Sequence, residues 1–179
     1  SDLLVFGQRA GAGAAAFAND AQTPALDPQS VRRAGEELAV PFDRPPGEDP
    51  YRLHAELQAT MQSWVGIYRS GSELESALQS LAELRRRWEK VHVIGSRAYN
   101  PGWNLTIELG NMLDCAEAVA RSALQRTESR GAHARLDHPG DDAEWGRRNS
   151  TVTFDGEGMQ VRAEPVPELP DELRSLIKA

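Results

Sequence analysis

A single cysteine, Cys115, stands in 179 residues. One thiol cannot build an internal disulfide framework, and it rules out a cysteine-rich metal knuckle as well. Aromatic residues are scarce, at 6%. Long apolar runs are missing too. The opening Leu3-Leu4-Val5-Phe6 is far short of the roughly 20 residues that cross a bilayer, and no Lys or Arg precedes it as in a signal peptide. Positive charge is in deficit, with 20 Lys+Arg against 27 Asp+Glu and a net charge of -7. That balance disfavours nucleic acid as a partner, because a general binder needs a basic face to displace counterions. What is present is 40% hydrophobic and 26% charged residues, the mix of a folded, helix-rich, intracellular protein. The chain opens on Ser1 in mid-pattern, which reads as a piece of something longer.

Helical spacing organises most of the chain. Leu3, Phe6, Ala10, Ala14 and Phe17 share one face of a first helix. Gly7, Gly11 and Gly13 flank that face, and their order matches neither a dinucleotide fingerprint nor a P-loop. Asp27 and Pro28 start a short helix to about Leu38, and a loop is expected from Val40 to Asp49. The run Arg44-Pro45-Pro46-Gly47-Glu48-Asp49 has linker composition. Three amphipathic helices follow, at about 49–68, 72–91 and 103–130. Leu53 and Leu57, then Leu74, Leu81 and Leu84, then Leu109, Leu113 and Ala116 mark their apolar stripes. Ser72-Glu73-Leu74-Glu75 reads as a capping box, and Gly131 as a helix terminator. Beyond it, 150–154 and 159–163 alternate as a hairpin, and 171–178 offers a last helical turn or two.

The expected fold is mainly α. An antiparallel three-helix bundle occupies 49–131, preceded by a helix and linker in 1–48 and followed by a polar tail with a β-hairpin in 132–179. No catalytic constellation assembles from residue chemistry alone. His133 and His138 with Asp137, Asp141 and Asp142 offer metal-ligand atoms, but their spacing fits no metal motif. Arg130 and Arg135 are the candidates for holding an anion through forked hydrogen bonds, or for pairing with acids or another polypeptide. Cys115 lies near an apolar stripe and reads as a buried, inert thiol.

Several stretches together resemble the flavoprotein subunit of succinate dehydrogenase and fumarate reductase. They are Ser1-Asp2-Leu3-Leu4-Val5-Phe6-Gly7-Gln8-Arg9-Ala10-Gly11, Leu57-Gln58-Ala59-Thr60-Met61, and Tyr99-Asn100-Pro101-Gly102-Trp103-Asn104-Leu105 with Glu108-Leu109-Gly110-Asn111. The most specific is Glu128-Ser129-Arg130-Gly131-Ala132-His133-Ala134-Arg135-Leu136-Asp137-His138-Pro139. The resemblance implies FAD in the full-length subunit and interconversion of succinate and fumarate. It implies that residues 1–48 close a truncated FAD domain. It also implies an iron–sulfur subunit and the rest of the flavoprotein chain as partners. The expected location is cytoplasmic, peripheral at the inner face of the plasma membrane, with no direct membrane insertion. The family's catalytic and flavin-binding positions have no match in this chain. No catalytic, cofactor-binding or metal residue is therefore carried over, and the fragment alone is expected to bind no FAD and to be inactive. Arg130, His133 and Arg135 are expected at a subunit interface. The alternatives are a stand-alone helical interaction module, or the same domain of L-aspartate oxidase or adenylylsulfate reductase.

Overall fold

The computed structural model describes residues 2–156 and 158–171. The chain divides into two units between Ala39 and Val40. The first holds α1 (Asp2–Asp20) and most of α2 (Pro28–Asp43). Asp27 caps α2 by accepting hydrogen bonds from the Gln29 and Ser30 amides, both at 3.1 Å. No residue of α1 is buried, and its apolar face of Leu3, Phe6 and Phe17 is exposed.

The second unit starts with the last turn of α2, where a loop was expected. Proline inside a helix removes a hydrogen bond and crowds the preceding turn. Contacts within the second unit hold this turn nonetheless. Pro41 is buried and its carbonyl accepts the Val93 amide at 2.9 Å. The Phe42 ring meets Trp103 edge-on at 5.3 Å. Arg44 donates to the carbonyls of Trp88 and Val91, each at 3.1 Å. Residues 40–48 are therefore stitched to the bundle, although their composition reads as linker.

The bundle is α3 (Pro50–Trp64), α4 (Gly71–Trp88) and α5 (Pro101–Gln125), each packed on the other two. Leu53 and Leu57 of α3, Leu74, Ala77, Leu81 and Leu84 of α4, and Leu109, Leu113, Ala116, Ala120 and Ala123 of α5 make the core. Asp49-Pro50 and Asn100-Pro101 start α3 and α5 as cap-plus-proline pairs. Asn100 also donates to Ile94 O and Ser96 O, at 3.0 and 2.9 Å, which ties down the long join before α5. Arg87 of α4 grips Glu48 at 2.9 and 3.0 Å and Glu56 of α3 at 2.5 Å, pinning the approach to α3.

The capping box of α4 uses Ser70 and Glu73, not Ser72 and Glu75. The sequence contains both overlapping patterns. A distant contact selects the earlier one, because the Gly71 amide donates to Asp137 Oδ2 at 2.9 Å. All three helices are shorter at their C-terminal ends than periodicity implies. After α3 the chain makes a short strand β1 (Tyr68–Arg69), which runs parallel to β2 (Ala134–Arg135) beyond α5. Gly131 does not end α5. It sits at φ +59° in a tight turn where Arg130 and His133 exchange backbone hydrogen bonds of 2.8 and 3.0 Å. The hairpin is present as β3 (Arg148–Phe154) paired antiparallel with β4 (Met159–Pro165). Gln125 Nε2 joins it to α5 through Val161 O at 3.0 Å. The helical turns expected over 171–178 lie almost wholly outside the described residues.

Two expectations follow. Limited trypsin digestion should cut at Arg9, Arg32 and Arg33, which are exposed, and spare Arg44, whose guanidinium is engaged. A stable product beginning at Ala34, read by mass spectrometry, checks this. Gly110 allows Trp88 to lie against α5: a Cβ there would come within 2.8 Å of the indole ring. Trp88 Nε1 also donates to Thr106 O at 2.7 Å. Gly110→Val should cost about 1–3 kcal/mol by overpacking, read as a lower urea midpoint with an unchanged slope.

Candidate functional site: an ion-pair lock at the end of the bundle

The densest polar structure forms where α4 begins, α5 ends and β1 meets β2. The last carbonyls of a helix lack partners within it and carry its negative end. Arg135 is 3% exposed, and its Nη1 donates to the carbonyls of Ala123, Leu124 and Arg126 at 2.9, 3.1 and 3.2 Å. Its Nε and Nη2 take Asp137 in a two-point fork, both at 2.8 Å. The same Asp137 accepts the Gly71 amide at the positive start of α4. One ion pair thus satisfies the C-terminus of one helix and the N-terminus of the next. The Arg135 guanidinium holds the Asp137 carboxyl well below the usual carboxylate range, against the opposing effect of burial. Gly71 leaves room for this pair, since a Cβ would lie 3.0 Å from Asp137 Oδ2.

A second cluster centres on Glu128, which is fully buried. Its carboxylate accepts from Arg126 Nη1 at 2.5 Å, Arg130 Nε and Nη2 at 3.0 Å each, and the Asp142 amide at 2.7 Å. The Arg130 hydrogen bond is the main cause of a Glu128 pKa lowered to about 2, with burial acting against it. Arg126 also lies over the Trp145 ring at 4.9 Å and donates to Arg148 O at 2.8 Å. Arg130 reaches Asp142 O at 2.8 Å. The cluster therefore folds 140–148 back onto the exit from α5.

The three residues expected at an interface stand together here, in different settings. Arg135 faces inward and is fully engaged. Arg130 is partly exposed and keeps an outward side. His133 is half-buried, with Nε2 3.2 Å from Arg126 O. Burial lowers its pKa, the Arg126 carbonyl raises it, and the charges of Arg69, Arg135 and Arg126 lower it further. Of the metal-ligand candidates, Asp137 is occupied by Arg135, and His138 Nε2 stands 4.0 Å from it. Among the described residues no group of three His, Cys, Asp or Glu is placed to share a metal ion. Cys115 is exposed, contrary to expectation, and lines a shallow groove with His54 and Met61 of α3. Glu128, Arg126 and Arg69 were not singled out from sequence. The alternation Arg126, Glu128, Arg130 was the available signal for Glu128.

This is a helical domain locked at one end by two clusters, in which Glu128 is committed to Arg126 and Arg130 and Asp137 to Arg135. The family model described as "Fumarate reductase flavoprotein C-term" matches residues 54–170. The Mycobacterium tuberculosis fumarate reductase flavoprotein subunit is 36% identical over 165 residues, covering 88% of this chain and 28% of that protein. A Mycobacterium smegmatis Sdh1 complex in the apo form contains a chain that is 42% identical, with a TM-score of 0.84, over 99% of this chain and 32% of its own length. Adenylylsulfate reductase from Archaeoglobus fulgidus shares the fold at 21% identity and a TM-score of 0.68, over 85% of this chain and 27% of its own. The chain belongs to the succinate dehydrogenase/fumarate reductase flavoprotein family, and corresponds to its C-terminal domain. It spans less than a third of the length of these relatives.

Proposed function

We propose that this chain is the structural C-terminal part of an FAD-dependent subunit that interconverts succinate and fumarate and passes electrons to an iron–sulfur subunit. The observation that carries the reading is the family match over the bundle and lock, whose polar groups are arranged for cohesion. FAD would supply hydride transfer in the full-length subunit. Gly7, Gly11 and Gly13 lie inside α1 rather than in a strand-to-helix turn, each with open space around it. The chain's own part is mechanical. The exposed apolar face of α1 packs against the remainder of the flavoprotein. The outward sides of Arg130 and His133 meet a partner subunit, and Arg135 holds that edge in shape from within. This puts the protein in the cytoplasm, peripheral at the inner face of the plasma membrane through its partners. No helix among the described residues is long and apolar enough to cross a membrane.

An immunoblot of native cells with an antibody to the chain tests this. The expected band is a flavin-containing polypeptide about three times the 19.6 kDa of the chain, by the coverage of its relatives. A native product of the chain's own size, free of flavin, would overturn it in favour of a stand-alone module.

A further inference from the structure

Arg69 and Arg135 are direct partners across the β1–β2 ladder, so two guanidinium groups start side by side. Like charges at paired strand positions repel. Arg135 is neutralised by Asp137 and by the carbonyl end of α5. Arg69 has no such relief. Its Nε is buried without a hydrogen-bond partner, and no ion pair to its side chain forms among the described residues. Burial and the neighbouring Arg135 both lower its pKa, as they do for a cation without an anion. The backbone offers no way out, because β1 is pinned by the ladder and Arg69 O accepts the Leu136 amide at 2.9 Å.

Arg69 borders a shallow cavity of about 380 Å³. Its lining combines the polar Arg69, Arg126, His133 and two serines with the apolar Val119, Ala123 and Val152. Among the described residues no Asp or Glu lines it, in a chain that is acidic overall. Arg126 is already held by Glu128, which leaves Arg69 as the uncompensated charge. A partly buried guanidinium with an unpaired Nε–H is matched by a carboxylate, whose two oxygens fit its fork. Apolar walls beside that fork suit a short hydrocarbon stem.

We propose that this cavity is a carboxylate-binding site, with Arg69 as the anion-holding residue and the apolar walls taking a stem of two or three carbons. The carboxylate comes either from a Glu or Asp side chain of another polypeptide segment or from a free small acid. Both present the same group to Arg69.

The test follows the Arg69 Nε–H signal by NMR in the 179-residue chain, assigned by its loss in Arg69→Met. Propionate is titrated against propionamide, and a capped alanine peptide with a central Glu against the same peptide with Gln, all at matched ionic strength. Each carboxylate should bind about tenfold tighter than its amide, the scale of one charge-assisted hydrogen bond. Equal affinity for propionate and the Glu peptide identifies a free acid as the occupant, and a markedly tighter peptide identifies a polypeptide side chain. No preference for carboxylate over amide in either pair overturns the proposal. Arg69→Met gives an independent check. It should abolish the preference while melting no lower than the parent, since an unpaired charge is being removed. A clearly lower melting temperature would show that the fold itself uses the Arg69 charge, and would overturn the proposal too.

Discussion

Arg135→Met is expected to reduce the unfolding free energy by about 3–5 kcal/mol, the scale of several helix-end carbonyls left unpaired at about 1–3 kcal/mol each; its ion-pair partner Asp137 is itself exposed. Methionine replaces most of the packing volume but none of the donors. The carbonyls of Ala123, Leu124 and Arg126 lose the guanidinium that binds all three, and Asp137 loses its two-point fork. The parallel ladder between β1 and β2 loosens with it, because Arg135 belongs to that ladder. Urea denaturation followed by circular dichroism gives the value. Arg135→Lys should recover only part of the loss, since an ammonium cannot fork to Asp137 and still reach the helix end. A loss below about 1 kcal/mol, the range of an exposed ion pair, would mean that the lock contributes little.

Glu128→Gln should be comparably severe. The amide keeps the shape but removes the charge that Arg126 and Arg130 share, and it turns one acceptor into a donor facing them. About 3–5 kcal/mol is again the expected scale. The pH dependence has a definite sign. Glu128 titrates near 2 in the folded chain, below its ordinary 4.5. Its stabilising contribution is therefore complete above about 4.5 and disappears as the pH falls from there towards 2. Asp137, also lowered, adds to the loss in the same direction. The parent chain should lose stability steeply across this window in a series of urea midpoints. Glu128→Gln should start lower and show a shallower slope there. Parallel slopes would contradict the assignment of the buried carboxylate.

Periodicity was sufficient for the bundle, because its helices are long and each has a single apolar stripe. Leu53, Leu74 and Leu109 are all essentially fully buried. Local rules failed where distant contacts decided. Pro41 should have ended α2, yet Val93 and Trp103 hold the turn that contains it. Two capping boxes overlapped at Ser70 and Ser72, and Asp137, far along the chain, chose between them. The motif from Glu128 to Pro139 was legible as a resemblance, and its physics was not. Whether Arg130 or Arg135 faces inward depends on where α5 stops. Helix spacing put that end near Arg130, and the structure puts it at Gln125 because buried Glu128 needs its arginines around it. Arg69 was invisible as a candidate, since only the ladder with Arg135 shows it to be an unmatched charge.

As the cohesive end of a flavoprotein, this domain should not itself perform the redox step. The direct measurement is dye reduction by the purified, folded 179-residue chain supplied with FAD and succinate. No turnover above FAD alone is expected, while circular dichroism reports an intact helical bundle. Succinate-dependent dye reduction by the chain by itself would contradict it.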